Sequence, residues 1–135
     1  WELIRNDSDK SFFWIGQELP FRWIAVNWRD GNHFSKEDAL EYLQEFPQEH
    51  FSSIRYNQDY LNIEFDDFND ESAYRVFGLW ESIDDAKGGP FQGYIFYDYE
   101  NDRTFYISYI VFNPGGKKAF YMRQMEMIAK TIDIN

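Results

Sequence analysis

Apolar residues recur along this chain at two periods, and the switches between them divide it into strands and helices. In Phe21-Arg22-Trp23-Ile24-Ala25-Val26-Asn27-Trp28, the residues Phe21, Trp23 and Ala25 alternate with Arg22, Ile24 and Val26, the period of an extended strand. The aromatic run Phe12-Phe13-Trp14-Ile15 precedes it, and Gln17-Glu18-Leu19-Pro20 joins the two as an irregular turn with Pro20 at a strand edge. Asp30-Gly31-Asn32 breaks the pattern. Ser35-Lys36-Glu37-Asp38 then matches a capping box, whose serine hydroxyl satisfies a free N–H of the first helical turn. Ala39, Tyr42, Leu43 and Phe46 follow at helical spacing, which predicts a helix from Lys36 to Phe46 that Pro47 stops.

The middle of the chain is weakly patterned. One strand-like run, Tyr60 to Phe65, sets Leu61, Ile63 and Phe65 on a common face, and the acidic cluster Asp66-Asp67-Phe68-Asn69-Asp70-Glu71 reads as a loop that interrupts it. Tyr74 to Glu81 is extended again, and Asp84 to Pro90 is rich in turn formers. Phe91 to Tyr99 and Arg103 to Phe112 are two further strands linked by the short loop Glu100-Asn101-Asp102. Asn113-Pro114-Gly115-Gly116 leads into a helix from Lys117 to Lys130, whose stripe of Tyr121, Met122, Met125, Ile128, Ala129 and Ile132 must face the strands. These elements predict an α+β fold of one domain over residues 1–135: an antiparallel sheet with two helices packed on one face, ending in a three-stranded meander plus a C-terminal helix.

The strand Phe105 to Phe112 is apolar on both sides. Phe105, Ile107, Tyr109 and Val111 face one way, and Tyr106, Ile110 and Phe112 the other. One face takes the C-terminal helix. The second must be covered by another segment, a partner chain or a flat ligand such as a sugar ring, which makes Tyr106, Ile110 and Phe112 a candidate ligand or partner surface.

The residues Gly78-Leu79-Trp80-Glu81, Gly88-Gly89-Pro90-Phe91, the strand ending Tyr109-Ile110-Val111-Phe112-Asn113-Pro114, and Met122-Arg123-Gln124-Met125-Glu126-Met127-Ile128 occur in that order. The stretch from Gly78 onward resembles the C-terminal part of a Bacteroidetes lipoprotein family known only as domain of unknown function 4837. The resemblance implies a lipid-modified cysteine upstream of Trp1, export, and attachment to the cell envelope (periplasm or outer membrane), with membrane contact only through that lipid anchor. It implies no activity.

Composition narrows the function classes. A chain of 135 residues is long enough for one core, folding being expected to bury roughly 70% of its unfolded surface. Aromatics make up 21% of it, so that core is aromatic. The net charge of -11 repels phosphate backbones and anionic lipid headgroups, and the basic residues are scattered along the chain, so nucleic acid is not an expected partner. Without cysteine there is no disulfide, thiolate metal site or cysteine nucleophile. No apolar run approaches the roughly 18 residues of a membrane-spanning helix. Trp1 opens the chain without a basic or apolar leader pattern, so any targeting segment is expected to have been removed or to lie upstream.

Candidate chemistry is sparse. His33 and His50 are the two histidines, each read as a surface loop residue, and no His-x-His or His-Glu-x-x-His spacing is present. Asp66, Asp67, Asn69, Asp70 and Glu71 offer oxygen ligands without the glycine and distal glutamate of a calcium-hand loop, so a solvated acidic loop is the expectation and no metal or cofactor is assigned. Gly88-Gly89-Pro90 lacks the order of a phosphate loop and reads as a backbone turn that only glycine makes, with Pro90 opening the next strand. Gly78 reads as a close backbone approach beside a core Trp80. The loops carrying Asp66, Asp67 and Asp70, and Asp84 and Asp85, join the second sheet face as candidate contact surfaces. The functional expectation is a non-enzymatic envelope domain that binds another envelope protein or a glycan, or serves as a structural module. The alternative is a carboxylate-based hydrolase of envelope glycans, which needs two acidic residues converging in a pocket.

Overall fold

Eight strands and two helices form from this pattern in the computed structural model, which describes residues 2–7, 12–17, 21–50 and 54–132. In chain order they are β1 (Glu2–Asp7), β2 (Phe12–Gln17), β3 (Phe21–Asp30), α1 (Lys36–His50), β4 (Ile54–Tyr56), β5 (Asn62–Phe68), β6 (Glu71–Ser82), β7 (Gly88–Asp98), β8 (Arg103–Phe112) and α2 (Ala119–Ala129). Every strand pair is antiparallel, in the order β1-β2-β3-β8-β7-β6-β4, and β5 also pairs with β6. The sheet curls as a half-barrel, so the class is α+β. The meander β6-β7-β8 followed by a helix stands as the sequence pattern predicts. The turn Glu18-Leu19-Pro20 lies outside the described residues.

β8 is the centre of the sheet and is buried along almost its whole length. Its alternation sorts the core into two layers. Tyr106 and Ile110 join Trp23, Ala25, Trp80, Phe91 and Ile95 under Ala39, Tyr42, Leu43 and Phe46 of α1. Phe105, Ile107, Tyr109 and Val111 join Ile24, Val26, Tyr94 and Phe96 under Met125 and Ala129 of α2. The helices therefore cover opposite faces, which corrects the expectation that both pack on one. The reason is topological: β3 and β4 run parallel with β8, β7 and β6 between them, so α1 must cross one face of those strands and leaves the other for α2.

Aromatic stacking carries much of the packing. The Tyr42 ring of α1 lies 3.4 Å from that of Tyr106 at 14°, and on the other face Phe68, Phe96 and Phe105 stack in a row at 5.1 and 5.4 Å.

Three local expectations change. Ser35 caps α1 as predicted, its Oγ accepting from the Asp38 N–H at 3.1 Å, but the helix runs through Pro47 to His50. Pro47 is itself buried, and the packing of Tyr42, Leu43 and Phe46 holds a turn that lacks one backbone hydrogen bond. The acidic cluster is not a loop. β5 continues through Asp66 and Asp67 to Phe68, and only Asn69 and Asp70, at φ 49 and 69, form a two-residue hairpin turn of the kind that needs left-handed backbone at both positions. Gly88 and Gly89 are not a turn either: Pro90 lies in a strand as expected, but β7 already begins at Gly88.

Candidate functional site

The two glycine motifs explain each other across β6 and β7. Gly78 pairs with Phe91 and Trp80 with Gly89 in the antiparallel register, so each motif sets its glycine opposite the other's aromatic ring. A Cβ on Gly89 would sit 2.5 Å from the Val111 carbonyl oxygen and 3.0 Å from Trp80 Nε1. That space lets the Trp80 indole donate to the Val111 carbonyl at 3.2 Å. Behind Phe91, Tyr56 stacks at 3.9 Å and shares a buried 2.7 Å hydrogen bond with Ser108. Burial drives the Tyr56 phenol pKa far above its ordinary value, although the Ser108 hydroxyl works against the shift.

Gly78 has a second role at the sheet edge. β5 pairs with β6 as far as Phe77 and β4 resumes at Trp80, so the outer edge of β6 is broken at Gly78 and Leu79. A 3-10 turn, Gln58–Tyr60, fills the break. Its Asn57 N–H donates to the Leu79 carbonyl at 2.8 Å, and the Tyr60 carbonyl oxygen lies where a Cβ on Gly78 would be 2.6 Å away. Only glycine admits the turn this closely.

Beside the break lies an open groove of about 390 Å³, lined by Tyr60, Arg75, Phe77, Gly78, Leu79, Pro90, Phe91, Gln92 and Met122. Its floor is the α2-side surface of β6 and β7. α2 packs mainly over β8 and β3 and reaches β7 only at Tyr94 and Phe96, which leaves the Arg75–Leu79 and Pro90–Gln92 stretches open, so Met122 forms the inner wall and Tyr60 the outer one. Tyr60 is 60% exposed and Leu79 42%. The Arg75 guanidinium stacks 4.4 Å above the Phe77 ring and lies 3.6 Å from Glu64 on the neighbouring strand. Gln92, opposite Phe77, supplies the second polar group. The arrangement offers aromatic faces beside a planar cation and a carboxamide, and it has no nucleophile–base pair.

α2 is fixed next to this groove by a polar latch. The Tyr94 hydroxyl donates to Glu126 Oε1 at 2.6 Å, and Lys130 Nζ lies 3.4 Å from the same oxygen. Burial first, and then the hydrogen bond and charge of Glu126, push the Tyr94 phenol up to about 12. The Asn69 side chain donates to the Lys130 carbonyl at 2.7 Å, tying the β5–β6 hairpin tip to the end of α2.

The residues singled out from sequence do not converge. Tyr106 and Ile110 are fully buried beneath α1, and Phe112 packs partly buried against the same layer with Trp80 edge-on at 5.9 Å. The second face of β8 is thus covered by a segment of this chain. Asp66 and Asp67 are neighbours on a strand and project to opposite faces, and Asp70 occupies the hairpin tip. Asp84 and Asp85 lie in the β6–β7 loop at the far end of β6, where Asp85 is 3.8 Å from Lys87. Among the described residues no group of three or more His, Asp or Glu is placed to hold a metal ion. His33 is a fold residue: its ring pairs with the Asp30 carbonyl at 2.8 Å, and its N–H donates to Thr104. The side chain of His50 lies outside the described residues.

Residues 3–131 match the family model described as Domain of unknown function (DUF4837). The chain belongs to that family. The match takes in α1, β4, β5 and the 3-10 turn, well before the stretch from Gly78 onward that carries the motifs, so the broken edge and its groove are parts of the DUF4837 domain. Among curated proteins, none matches the chain.

Proposed function

We propose that this DUF4837 domain is a non-catalytic glycan-binding module of the cell envelope and that the groove over β6 and β7 is its binding surface. The lining supports this reading. Exposed Tyr60 and the stacked Arg75–Phe77 pair present flat faces to the C–H surface of a sugar ring, while the Arg75 and Gln92 side chains offer planar donors to ring hydroxyls. A groove of about 390 Å³ falls within the roughly 300–1,000 Å³ of small-ligand sites.

The hydrolase alternative needs two carboxylates about 5 to 10 Å apart facing one cleft, and the lining of this groove contains neither Asp nor Glu. Glu64 is engaged with Arg75 at its margin. The envelope setting, as part of a Bacteroidetes lipoprotein held by a lipid on an upstream cysteine, is supported by the order of the Gly-Leu-Trp, Gly-Gly-Pro-Phe and C-terminal helix motifs.

The test is titration of the isotope-labelled chain with neutral and acidic oligosaccharides, followed by amide shifts. Shifts confined to β6, β7 and the 3-10 turn, and lost in Tyr60→Ala and Arg75→Gln, are the expected result. Shifts elsewhere, or binding indifferent to both substitutions, would overturn the groove. Selective binding of extended peptides at the same residues would replace the glycan reading with a protein-binding one. Metabolic labelling of the full-length gene product with a fatty acid tests the lipid anchor separately.

A further inference from the structure

We propose that the outward face of α2 docks this domain onto the surface of an anionic lipid bilayer. The inference is independent of the groove and starts from the two-sidedness of the helix. Met125 and Ala129 are fully buried against the sheet. At 100° per residue, Phe120 and Met127 differ by about 20° and point away from that buried pair. They are 58% and 70% exposed, two of the large apolar side chains that stand clear of the described surface. Arg123 flanks them on the same side of the helix, while the Lys130 ammonium turns back to Glu126 and the Tyr94 ring.

Charge separates along the same boundary. Residues 117–130 hold Lys117, Lys118, Arg123 and Lys130 against Glu126 alone, a net +3 in a chain of net charge -11, so the remainder carries -14. Glu126 turns inward to Tyr94 and pairs with Lys130, which leaves the outward stripe without a carboxylate. A negatively charged surface attracts this segment and repels the remainder, net -14, so the field turns α2 toward it.

The shape of the patch selects a bilayer over an acidic protein. Phe120 and Met127 project from a convex helix seven residues apart, so a rigid partner would need two separate pockets, whereas a lipid headgroup layer yields around each side chain. Bulky apolar tips beside a long cation that reaches back to the phosphates, as Arg123 does here, are the composition of an interfacial helix. At eleven residues α2 lies on such a surface; among the described residues no helix is long and apolar enough to cross a membrane.

The experiment is flotation of the full chain with vesicles of phosphatidylcholine alone and of phosphatidylcholine with one-third phosphatidylglycerol, at low salt and at 0.5 M salt. The expected result is at least tenfold greater recovery with the anionic vesicles, lost at high salt. The double substitution Phe120→Ser/Met127→Ser and, separately, Arg123→Glu should each reduce recovery at least fivefold, while Tyr99→Ser, at an exposed tyrosine of the β7–β8 loop, should leave it unchanged. All these sites are exposed, and an unchanged thermal midpoint verifies folding. No flotation, equal recovery on both vesicles, or recovery unaffected by the α2 substitutions overturns the proposal. Sedimentation showing self-association that Phe120→Ser/Met127→Ser abolishes would assign the face to a second copy instead.

Discussion

Replacing Gly78 by alanine tests the account of the broken edge most directly. The new Cβ would stand 2.6 Å from the Tyr60 carbonyl oxygen and 3.1 Å from the Phe91 ring. Ordinary contact begins near 3.4 Å, so the carbonyl must retreat by about 0.8 Å, and as a backbone atom it takes the 3-10 turn with it. That movement strains or breaks the 2.8 Å bond from the Asn57 N–H to the Leu79 carbonyl, worth about 1 kcal/mol, and overpacking adds about 1–3 kcal/mol. The lower entropy of the unfolded alanine chain returns about 0.4–1 kcal/mol. A net loss of about 1–3.6 kcal/mol follows, read as a lower urea midpoint at unchanged slope by tryptophan fluorescence. Gly115→Ala is the control: at φ 71 with no atom within 4 Å it has strain without collision and should cost about 1 kcal/mol or less. A Gly78→Ala protein within 0.5 kcal/mol of wild type, or less perturbed than Gly115→Ala, would refute the close approach as the reason for glycine.

Tyr56→Phe removes one partner of a buried hydrogen bond and leaves the Ser108 hydroxyl unsatisfied, so it should cost about 1–3 kcal/mol; adding Ser108→Ala should cost less than the sum of the single changes, as a double-mutant cycle by urea unfolding will measure. Met125→Ala should cost about 2–5 kcal/mol, and Met127→Ala, two positions on and 70% exposed, under about 0.5 kcal/mol; similar losses would mean that α2 is rotated from the orientation described. The Tyr94 phenol, raised from 10.0 to about 12, stabilises the fold fully below pH 10 and loses that contribution as pH rises through 12. The stability difference between wild type and Tyr94→Phe should therefore be constant below pH 10 and shrink toward pH 12, and a difference that grows in that window would reverse the assignment.

The sequence pattern was legible where burial is one-sided or long. β3, β7, β8 and α2 follow from alternation and from a stripe whose Met125 and Ala129 are indeed the buried positions. The apolar character of both faces of β8 already required two covers, yet it did not name them. The expectation of two helices on one face failed because it treated α1 as a neighbour of its own strands rather than a crossover to the distant β4, a strand of three residues with no readable pattern. The acidic cluster misled because Asp66 and Asp67 sit on an edge strand whose solvated sides tolerate charge, and the hairpin signal was the short pair Asn69-Asp70. The groove was hidden for a different reason. Arg75, Phe77 and Leu79 alternate visibly, but their exposure depends on where α2 ends its cover, a tertiary fact.

The pairing of β3 with β8 carries a consequence for how the molecule assembles. Its partners are separated in sequence by 91 residues at Phe21–Phe112 and by 73 at Asp30–Arg103, so no part of this central seam is local. On a ribosome, β1, β2 and β3 emerge with one flank of β3 open, and that flank stays unpaired until the last strand has been made. Topology of this kind predicts folding in milliseconds or slower and a chain exposed to mispairing meanwhile. It also predicts that the chain, cut between α1 and β4, yields two pieces that each lack half of the seam and become ordered only when they meet.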